Sequence, residues 1–540
     1  MHWFFDLQGP NFPPRKWADP QSFAMTEPRT SFQTSSPWCW QAWGLLILLL
    51  PGLWLLRLLT AAHSGAGLFV DEAQYWEWSR ALAWGYYSKP PVLPFLIKLS
   101  VWVAGDGTTG VRWLVQLCWA VVPLVLWRLG WEIQRDSQQP LASPHAVGTW
   151  AAVLFASSLA SGVLGQVATT DGPLVLFWSL QLWLVWRAMA QPMRWSRWLW
   201  VGAVLALGVL SKYTMSAVLA SWVVWWWFGH RNAAVSKGMA LAAGLAALAL
   251  LPHLAWNQAN DWPTLKHTAD LLSGGSASSG PFFAKLLPRL GEYIGSQALL
   301  AGPVFLLVSV LVVMRLWIKP ASPPLNFSTR PALWAWHGSW PLWAIGGLQA
   351  MQGTAQINWP APALLGASVA LGWLLGSRPA PWRWRGPVAV LLMASFFSTA
   401  LSLGGDWRAR LGLPVQKSKW DLWGRARGWE EGLMQLQPLV ASNPDATLVA
   451  LDRTLIIHAA YAWREQKVLA LSWQQTPHPL HHYDLLYRFD PAQHTGPVLL
   501  LVLGELPGFV RERYKHVERL SDAAPSGRPL FLWLLKEPQP

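Results

Sequence analysis

Long apolar segments recur along this chain of 540 residues and constrain its fold more than any other feature. Most of them have about the 20 residues that a helix needs to cross the hydrocarbon core of a membrane. The chain is 53% hydrophobic and only 13% charged, whereas soluble domains carry about 25% charged residues. We therefore predict about eleven transmembrane helices, at about 39–62, 111–130, 147–165, 172–190, 198–211, 214–229, 234–256, 294–317, 333–350, 360–377 and 386–403.

Basic residues predict the orientation of these helices. They fall in short clusters between apolar segments, and the clusters share one side of the membrane if the N-terminus is cytoplasmic. The net charge is +14, but no long basic run or nucleic-acid motif accompanies it. We therefore predict contact with membrane lipids and no nucleic-acid partner. The clusters are Arg128 with Arg135, Arg187 with Arg194 and Arg197, Arg231 with Lys237, Arg315 with Lys319 and Arg330, and Arg378 with Arg383 and Arg385.

Residues 89–104 are apolar but short, and they contain three prolines and Lys98. Counting them as a span would invert every later loop and spoil the charge pattern, so we predict an interfacial helix here. After about residue 404, apolar runs of strand length at 447–452, 467–471, 497–504 and 529–536 alternate with a helical pattern at 456–465. This alternation favours a small α/β domain. The predicted domains are a disordered cytoplasmic tail (1–38), a transmembrane domain (39–403) and an extracytoplasmic α/β domain (404–540).

Ionisable residues collect on the predicted extracytoplasmic side. Asp71 and Glu72 begin a short predicted helix there, and their side chains diverge because helical positions rotate by about 100° per residue. Carboxylates at a membrane exit are costly unless something satisfies or uses them. The residues alone leave two interpretations open, since acidic side chains also cap helix N-termini.

Three further polar positions lie on the same side. Lys89 precedes two prolines that fix the chain, so its ammonium either faces an anionic group or extends toward lipid headgroups. Asp171 lies in a turn between spans, where an aspartate either caps a helix or contacts a reacting group. Lys212 is a second cation on this side. We interpret His478, His481 and His482 as a surface loop and not as a metal site.

The block DEAQYWEWSRALAWGYYSKPP at 71–91 resembles the first extracytoplasmic loop of GT-C glycosyltransferases, in the branch of the protein O-mannosyltransferases and the lipid A aminoarabinose transferases. The landmarks Asp171-Gly-Pro, Ser211-Lys-Tyr and Asn358-Trp-Pro follow in family order. The resemblance implies a bacterial inner-membrane enzyme with an all-α GT-C membrane fold and interfacial helices in the first outer loop. Such an enzyme moves a monosaccharide from a polyprenyl-phosphate carrier to a lipid, glycan or protein acceptor, with inversion.

The same resemblance implies roles for individual residues. Asp71 matches the general base that deprotonates the acceptor hydroxyl, and Lys89 matches a lysine that meets the carrier phosphate. Asp171 is the second predicted catalytic residue, and it contacts a reacting group or positions a lysine. Some GT-C enzymes use a divalent metal, which leaves a metal open, but the sequence has no strong ligand spacing and we predict no metal-binding residues. The predicted substrate-binding residues are Glu72, Tyr87, Lys89, Lys212, Tyr213, Asn257 and His267.

Two alternatives from other classes remain. A transporter or flippase of polyprenyl-linked glycans would also be polytopic, but such proteins often have internal repeats and broken helices with polar residues at mid-membrane. A non-catalytic membrane scaffold would not require the acidic pair together with the two lysines.

Overall fold

The computed structural model describes residues 51–59 without 53, 66–137, 145–229, 231–272, 282–318, 330–353, 356–376, 389, 393, 423–476, 478–523 and 530–539. The predicted tail, most of the predicted spans at 39–62 and 386–403, and the predicted boundary at 404 lie outside these residues. The domain boundaries therefore stay predictions.

Helices make up nearly all of the described chain up to residue 376. The first two helices and the chain around them form the first loop, which we define as residues 66–107. The helices are α1 (Val70–Arg80), α2 (Val92–Ala104), α3 (Thr108–Asp136), α4 (Ala146–Ala156), α5 (Leu159–Val163), α6 (Asp171–Ala190), α7 (Trp195–Val209), α8 (Val218–Gly229), α9 (Ala233–Ala259), α10 (Pro263–Leu272), α11 (Phe282–Ile318), α12 (Arg330–His337), α13 (Trp340–Gln352) and α14 (Ala363–Gly376).

Within the described ranges, four helices are long and apolar enough to cross a membrane: α3, α6, α9 and the Leu286–Leu307 part of α11. A fifth span results if α4 and the bent segment Leu159–Gln166 count as one, with a bend of 59°. These findings support a multi-pass membrane protein. They leave the predicted number of eleven spans untested.

The predicted span at 333–350 is not a single helix. The apolar segment at 333–350 is divided into α12 and α13, and the chain turns at Gly338 and Ser339. Pro341 lies in the first turn of α13, where its missing amide hydrogen costs nothing, although it cannot continue a preceding helix. Hydropathy does not register such a break, because both halves are apolar.

Helix α2 has 13 residues, which gives a length of about 20 Å and is too short to cross a membrane. One of its faces is apolar and exposed, with Trp102 80% exposed and Phe95 and Leu99 close to half exposed. The opposite face carries Leu93 and Ile97, which are fully buried. These features fit the predicted interfacial helix.

The chain after residue 423 forms the C-terminal α/β unit, residues 423–539. Its six-stranded sheet has the order β3-β2-β1-β4-β6-β5. The first four strands in this order are parallel, and β6 pairs antiparallel with β4 and β5. The elements are α15 (Trp429–Ala441), β1 (Thr447–Ala450), α16 (Arg453–Ala462), β2 (Leu471–Trp473), α17 (His482–Leu486), β3 (Arg488–Phe489), β4 (Val498–Leu503), α18 (Gly508–Arg511), β5 (Tyr514–Ala523) and β6 (Leu530–Pro538).

The first loop and the C-terminal α/β unit share one hydrophobic core. Trp76 of α1 packs edge-on against Tyr461 of α16, with ring centroids 5.0 Å apart. Ala73 of α1 and Leu455 of α16 are fully buried in the same cluster. Burying large aromatic rings is strongly favourable, so this core fixes the C-terminal α/β unit over the helix that begins with the acidic pair.

Candidate active site

The two neighbouring carboxylates at the start of α1 have different environments. Glu72 is fully buried. Arg112 of α3 donates two hydrogen bonds to its carboxylate, of 2.8 Å from Nε and 2.7 Å from Nη2. The backbone amides of Ala168 and Phe69 also donate to it, at 2.7 and 3.0 Å. Both carboxylate oxygens are therefore occupied. The predicted substrate contact of Glu72 does not fit this geometry, because Glu72 caps α1 and joins it to α3 and to the chain before α6.

Asp71 points away from Glu72 by about 100° around α1, and its side chain is 59% exposed. Its one contact among the described residues is an ion pair of 3.4 Å between Oδ1 and Nη2 of Arg453, from the C-terminal α/β unit. The helix cap at this end is Glu72. Of the two interpretations of the acidic pair, helix capping therefore applies to Glu72. Contact with a ligand fits Asp71, because one of its oxygens is left open.

Lys89 lies in a tight turn of the first loop. The amide of Tyr86 donates to the carbonyl of Lys89 at 3.2 Å, and the amide of Val92 donates to the carbonyl of Leu210 at 3.1 Å. The second bond ties this turn to the connection between α7 and α8, where Lys212 lies. Within the described part of the chain, no carboxylate is within ion-pair distance of the Lys89 ammonium. Burial, together with nearby Lys212 and Arg453, lowers the pKa of Lys89 to about 8, although Asp71 and Asp171 oppose the shift.

Asp171 is the first residue of α6 and is buried. Lys212 donates to its Oδ1 at 2.7 Å, and Asn358 donates to its Oδ2 at 2.6 Å. The Lys212 ammonium also lies 5.8 Å from the centre of the Trp359 ring. The sequence landmarks at 171, 212 and 358 therefore meet in one cluster, in which Asp171 holds Lys212 in place.

Tyr213, His253 and Asn257 form a separate network. Tyr213 contacts Nε2 of His253, the other ring nitrogen of which lies 2.7 Å from the carbonyl of Trp84. Asn257 is fully buried and accepts a hydrogen bond from the amide of Thr264 at 3.2 Å. These contacts connect α9, α10 and the segment before α8 to the first loop. The predicted substrate contact of Asn257 is not accommodated, since its amide group is enclosed by protein.

The network also depends on close backbone approach. A Cβ at Gly85 would lie 2.3 Å from the Trp256 ring and 3.0 Å from Nδ1 of His253. Only glycine fits at this distance, so Gly85 lets the first loop lie against α9.

Tyr87 and His267 pair at the edge of the site, with ring centroids 5.5 Å apart. The Tyr87 hydroxyl donates to the carbonyl of Pro479 in the C-terminal α/β unit at 3.0 Å. Burial and then the charges of Lys89 and Arg453 lower the pKa of His267, so its imidazole is neutral near pH 7. Lys89 and Arg453 thus both act electrostatically on His267.

Five charged side chains therefore form one group, which we name the charge group: Asp71, Lys89, Asp171, Lys212 and Arg453. All four of the others act electrostatically on Lys89. Three cations and two carboxylates give the charge group one net positive charge. An anion with a single negative charge would complete it.

The predicted surface loop at 478–482 is wrong for His482. That ring is 5% exposed and packs 5.2 Å from Trp78 and 5.7 Å from Tyr86. Tyr483, next to it, donates to Glu77 of α1 at 2.9 Å. Burial raises the pKa of Glu77 to about 7. These residues belong to the interface between the first loop and the C-terminal α/β unit.

Across the ranges that the structure describes, no three His, Cys, Asp or Glu side chains come together in a group that could hold a metal ion. The two carboxylates of the charge group are separated by their own cation partners, Lys212 on Asp171 and Arg453 on Asp71.

Arg453 is the site residue that sequence reasoning missed. It follows β1, a buried parallel strand, and it opens α16. Residues just beyond the carboxyl ends of parallel strands often line ligand-binding sites. This is most common where the connections that follow two neighbouring strands run to opposite sides of the sheet. In this sheet β1 lies between β2 and β4. Asn358 was noted as a landmark, but it was not among the predicted site residues.

The chain is similar to known proteins in both sequence and fold. The family model described as dolichyl-phosphate-mannose-protein mannosyltransferase matches residues 88–256. The lipid A galacturonosyltransferase RgtD of Rhizobium johnstonii is 25% identical over 462 residues, which cover 85% of this chain and 91% of the relative. Solved structures of ArnT from Cupriavidus metallidurans, one bound to undecaprenyl phosphate and one in the apo state, superpose with a TM-score of 0.59 at 14% identity. In both cases 90% of this chain and 97% of ArnT are covered.

The shared fold extends over nearly the whole of ArnT, and the sequence match to RgtD is similarly complete. The family model covers the part of the chain that contains Lys89, Asp171 and Lys212. The family-model match, the relative RgtD and the fold shared with ArnT together support a glycosyltransferase of the GT-C superfamily.

Proposed function

We propose that this protein moves a monosaccharide from a polyprenyl-phosphate carrier to an acceptor at the extracytoplasmic face of the bacterial inner membrane, with inversion. One observation carries the proposal: an exposed carboxylate, Asp71, lies in a group with three cations, of which Lys89 has no carboxylate partner among the described residues. A base next to cations is what displacement of a phosphate from a sugar requires.

The donor proposal rests on the cations. A polyprenyl-phosphate sugar is a phosphodiester with one negative charge, which matches the single net positive charge of the charge group. Lys89 is the cation that is open to a new partner, whereas Lys212 is bound by Asp171. ArnT, which shares the fold, has been solved with undecaprenyl phosphate. We assign Lys89 to the carrier phosphate and Lys212 to a second contact with it.

The transfer step uses Asp71 as general base. The acceptor hydroxyl oxygen forms a bond with the anomeric carbon while the bond from that carbon to the phosphate oxygen breaks. The hydroxyl proton passes to Asp71, and the electron pair of the broken bond leaves with the carrier phosphate. Because attack and departure take place on opposite sides of one carbon, the configuration inverts.

Asp171 is assigned a positioning role. Both of its oxygens are occupied, one by Lys212 and the other by Asn358. A carboxylate with two charge-assisted or amide hydrogen bonds holds its partners more readily than it accepts a proton. Of the two roles expected for Asp171, the positioning of Lys212 is the one that the contacts support.

The acceptor proposal favours a lipid. The relative RgtD, which matches most of this chain, is named for transfer of galacturonic acid to lipid A. Glycan and protein acceptors are the other two classes to test.

Reconstitution in proteoliposomes tests the proposal directly. A polyprenyl-phosphate sugar with radiolabel in the sugar is supplied with lipid A, a glycan or a protein acceptor in separate reactions. We expect label in one acceptor, lipid A, and release of the unlabelled carrier phosphate. Movement of the intact donor across the bilayer without transfer would indicate a transporter. Neither transfer nor movement with any acceptor would favour a scaffold.

The pH dependence of donor use tests Lys89. Its lowered pKa, about 8, means that the ammonium is present below that pH and is lost as pH rises through it. For the free enzyme, kcat/KM for the donor should therefore fall across this range. Lys89→Arg should remove this fall, because a guanidinium stays charged to above about pH 12. Lys89→Ala should reduce donor kcat/KM about ten- to hundredfold below pH 8. The same fall in Lys89→Ala as in the wild type would exclude Lys89 as its cause.

A further inference from the structure

The C-terminal α/β unit reaches the charge group through one residue, Arg453. The turn before it is fixed, since Asp452 accepts a hydrogen bond from the amide of Thr454 at 2.6 Å and so caps α16. The guanidinium then spans two residues of α1. Nη1 donates to Oε1 of Gln74 at 2.9 Å, and Nη2 lies 3.4 Å from Oδ1 of Asp71.

The Arg453 guanidinium has a rigid support. Gln74 is 3% exposed, and the helix that carries Arg453 contributes Leu455 and Ile456 to the core shared with α1. A guanidinium is planar, so a hydrogen bond from one of its nitrogens to a buried amide also restricts where its other nitrogens can lie. Its second arm therefore presents a fixed charge to Asp71.

We propose that Arg453 is a positioning residue for glycosyl transfer, and that it makes the C-terminal α/β unit a part of the active site. This inference rests on the proposed function of Asp71 as general base. Arg453 restrains one oxygen of the Asp71 carboxylate, and the other oxygen is left to face the acceptor hydroxyl. Accurate placement of a reacting group is worth large rate factors, about 100-fold for a displacement near 1 Å.

The length of the ion pair fits positioning more closely than neutralisation. Charge-assisted hydrogen bonds between guanidinium and carboxylate are about 2.7–2.9 Å long, as between Arg112 and Glu72 in this protein. The 3.4 Å between Arg453 and Asp71 orients the carboxylate and leaves its lone pairs available. The tight pair and the loose pair are on adjacent residues of one helix.

Three variants separate this role from a purely structural one. Arg453→Met removes both the positive charge and the two N–H donor groups of the guanidinium. Arg453→Lys keeps the charge but cannot donate to Gln74 and Asp71 from one planar group. Arg464→Met is the matched control, because Arg464 follows the end of the same helix and pairs with Glu430 at 2.6 Å, outside the charge group. Each variant is reconstituted in full length, and its thermal unfolding, kcat and donor KM are measured.

We expect Arg453→Met to lower kcat about 10- to 100-fold with a smaller change in donor KM, Arg453→Lys to fall between it and the wild type, and Arg464→Met to keep wild-type kcat. In an Asp71→Asn background, Arg453→Met should cause no further loss, because it acts through Asp71. The inference would be overturned if Arg453→Met lowered kcat as much in the Asp71→Asn background as in the wild type. A change in donor KM without a change in kcat would also overturn it. So would wild-type kcat in either Arg453 variant, and Arg453→Lys keeps this test open if Arg453→Met unfolds. Absence of transfer by the wild type is a different outcome, because it removes the proposed function itself.

Discussion

Asp71→Asn is expected to lower sugar transfer by about 10²–10⁴-fold and to leave the protein folded. Asparagine has the size of aspartate, but it cannot take up a proton at neutral pH. Asp71 is 59% exposed, and its one ion pair with Arg453 is long. Exposed pairs of this kind contribute about 0–1 kcal/mol to stability. Turnover in nanodiscs and thermal unfolding of the same preparation are the two measurements.

The contrast between the two measurements identifies the role of Asp71. A large loss of turnover without a loss of stability is the signature of a general base. Donor binding to Asp71→Asn should persist, which equilibrium binding of a labelled donor would check. A stable Asp71→Asn protein with wild-type turnover would refute the proposed mechanism, although the fold and superfamily would be unaffected.

Glu72→Gln is expected to give the opposite result. Removal of one partner from a buried ion pair costs about 3–5 kcal/mol, because the other charge remains buried without compensation. Glu72 and Arg112 are each about 1% exposed, and their closest atoms are 2.7 Å apart. The unfolding temperature of Glu72→Gln should fall steeply. The fraction that stays folded should transfer sugar at close to the wild-type rate per active molecule.

A double variant provides the control for Glu72. Replacing both Glu72 and Arg112 by methionine removes both buried charges, and such exchanges of a pair for apolar side chains are often neutral or stabilising. The double variant should therefore recover much of the stability that Glu72→Gln loses. A stable Glu72→Gln protein that has lost donor binding would instead favour the substrate contact predicted from the sequence.

The sequence predicts the acidic pair as a landmark but not the division of roles within it. A rotation of about 100° per residue implies that Asp71 and Glu72 face different directions. Which one is buried depends on Arg112 and on Ala168, which are 40 and 96 positions away from Glu72. Tertiary contacts of this separation leave no local pattern. That Lys212 and Asp171 lie on one side of the membrane can be predicted from the sequence, because it follows from the distribution of basic residues.

The C-terminal α/β unit shows the same limit. Its buried strands β1, β4 and β6 are continuous apolar runs and were predicted, whereas the run at 467–471 contains only the first residue of β2. The outer strand β5 has the sequence YKHVERLSDA, which is too polar for recognition by hydropathy, since one side of an edge strand faces water. His482 and Arg453 were missed for a related reason. Their environment is made by the first loop, more than 350 positions earlier in the chain.

The charge group has a consequence for the energetics of one turnover. Before transfer its single positive charge is balanced by the single negative charge of the donor phosphodiester. In the proposed transfer step Asp71 becomes neutral on gaining a proton, so the protein side of the site would rise to two positive charges. The departing carrier phosphate gains one negative charge at the same moment and becomes a dianion. The site is thus electroneutral in both states, and no counterion has to enter or leave during the chemical step. On this mechanism, loss of the proton from Asp71 would restore a negative charge next to the phosphate dianion, so deprotonation of the base would favour release of the spent carrier.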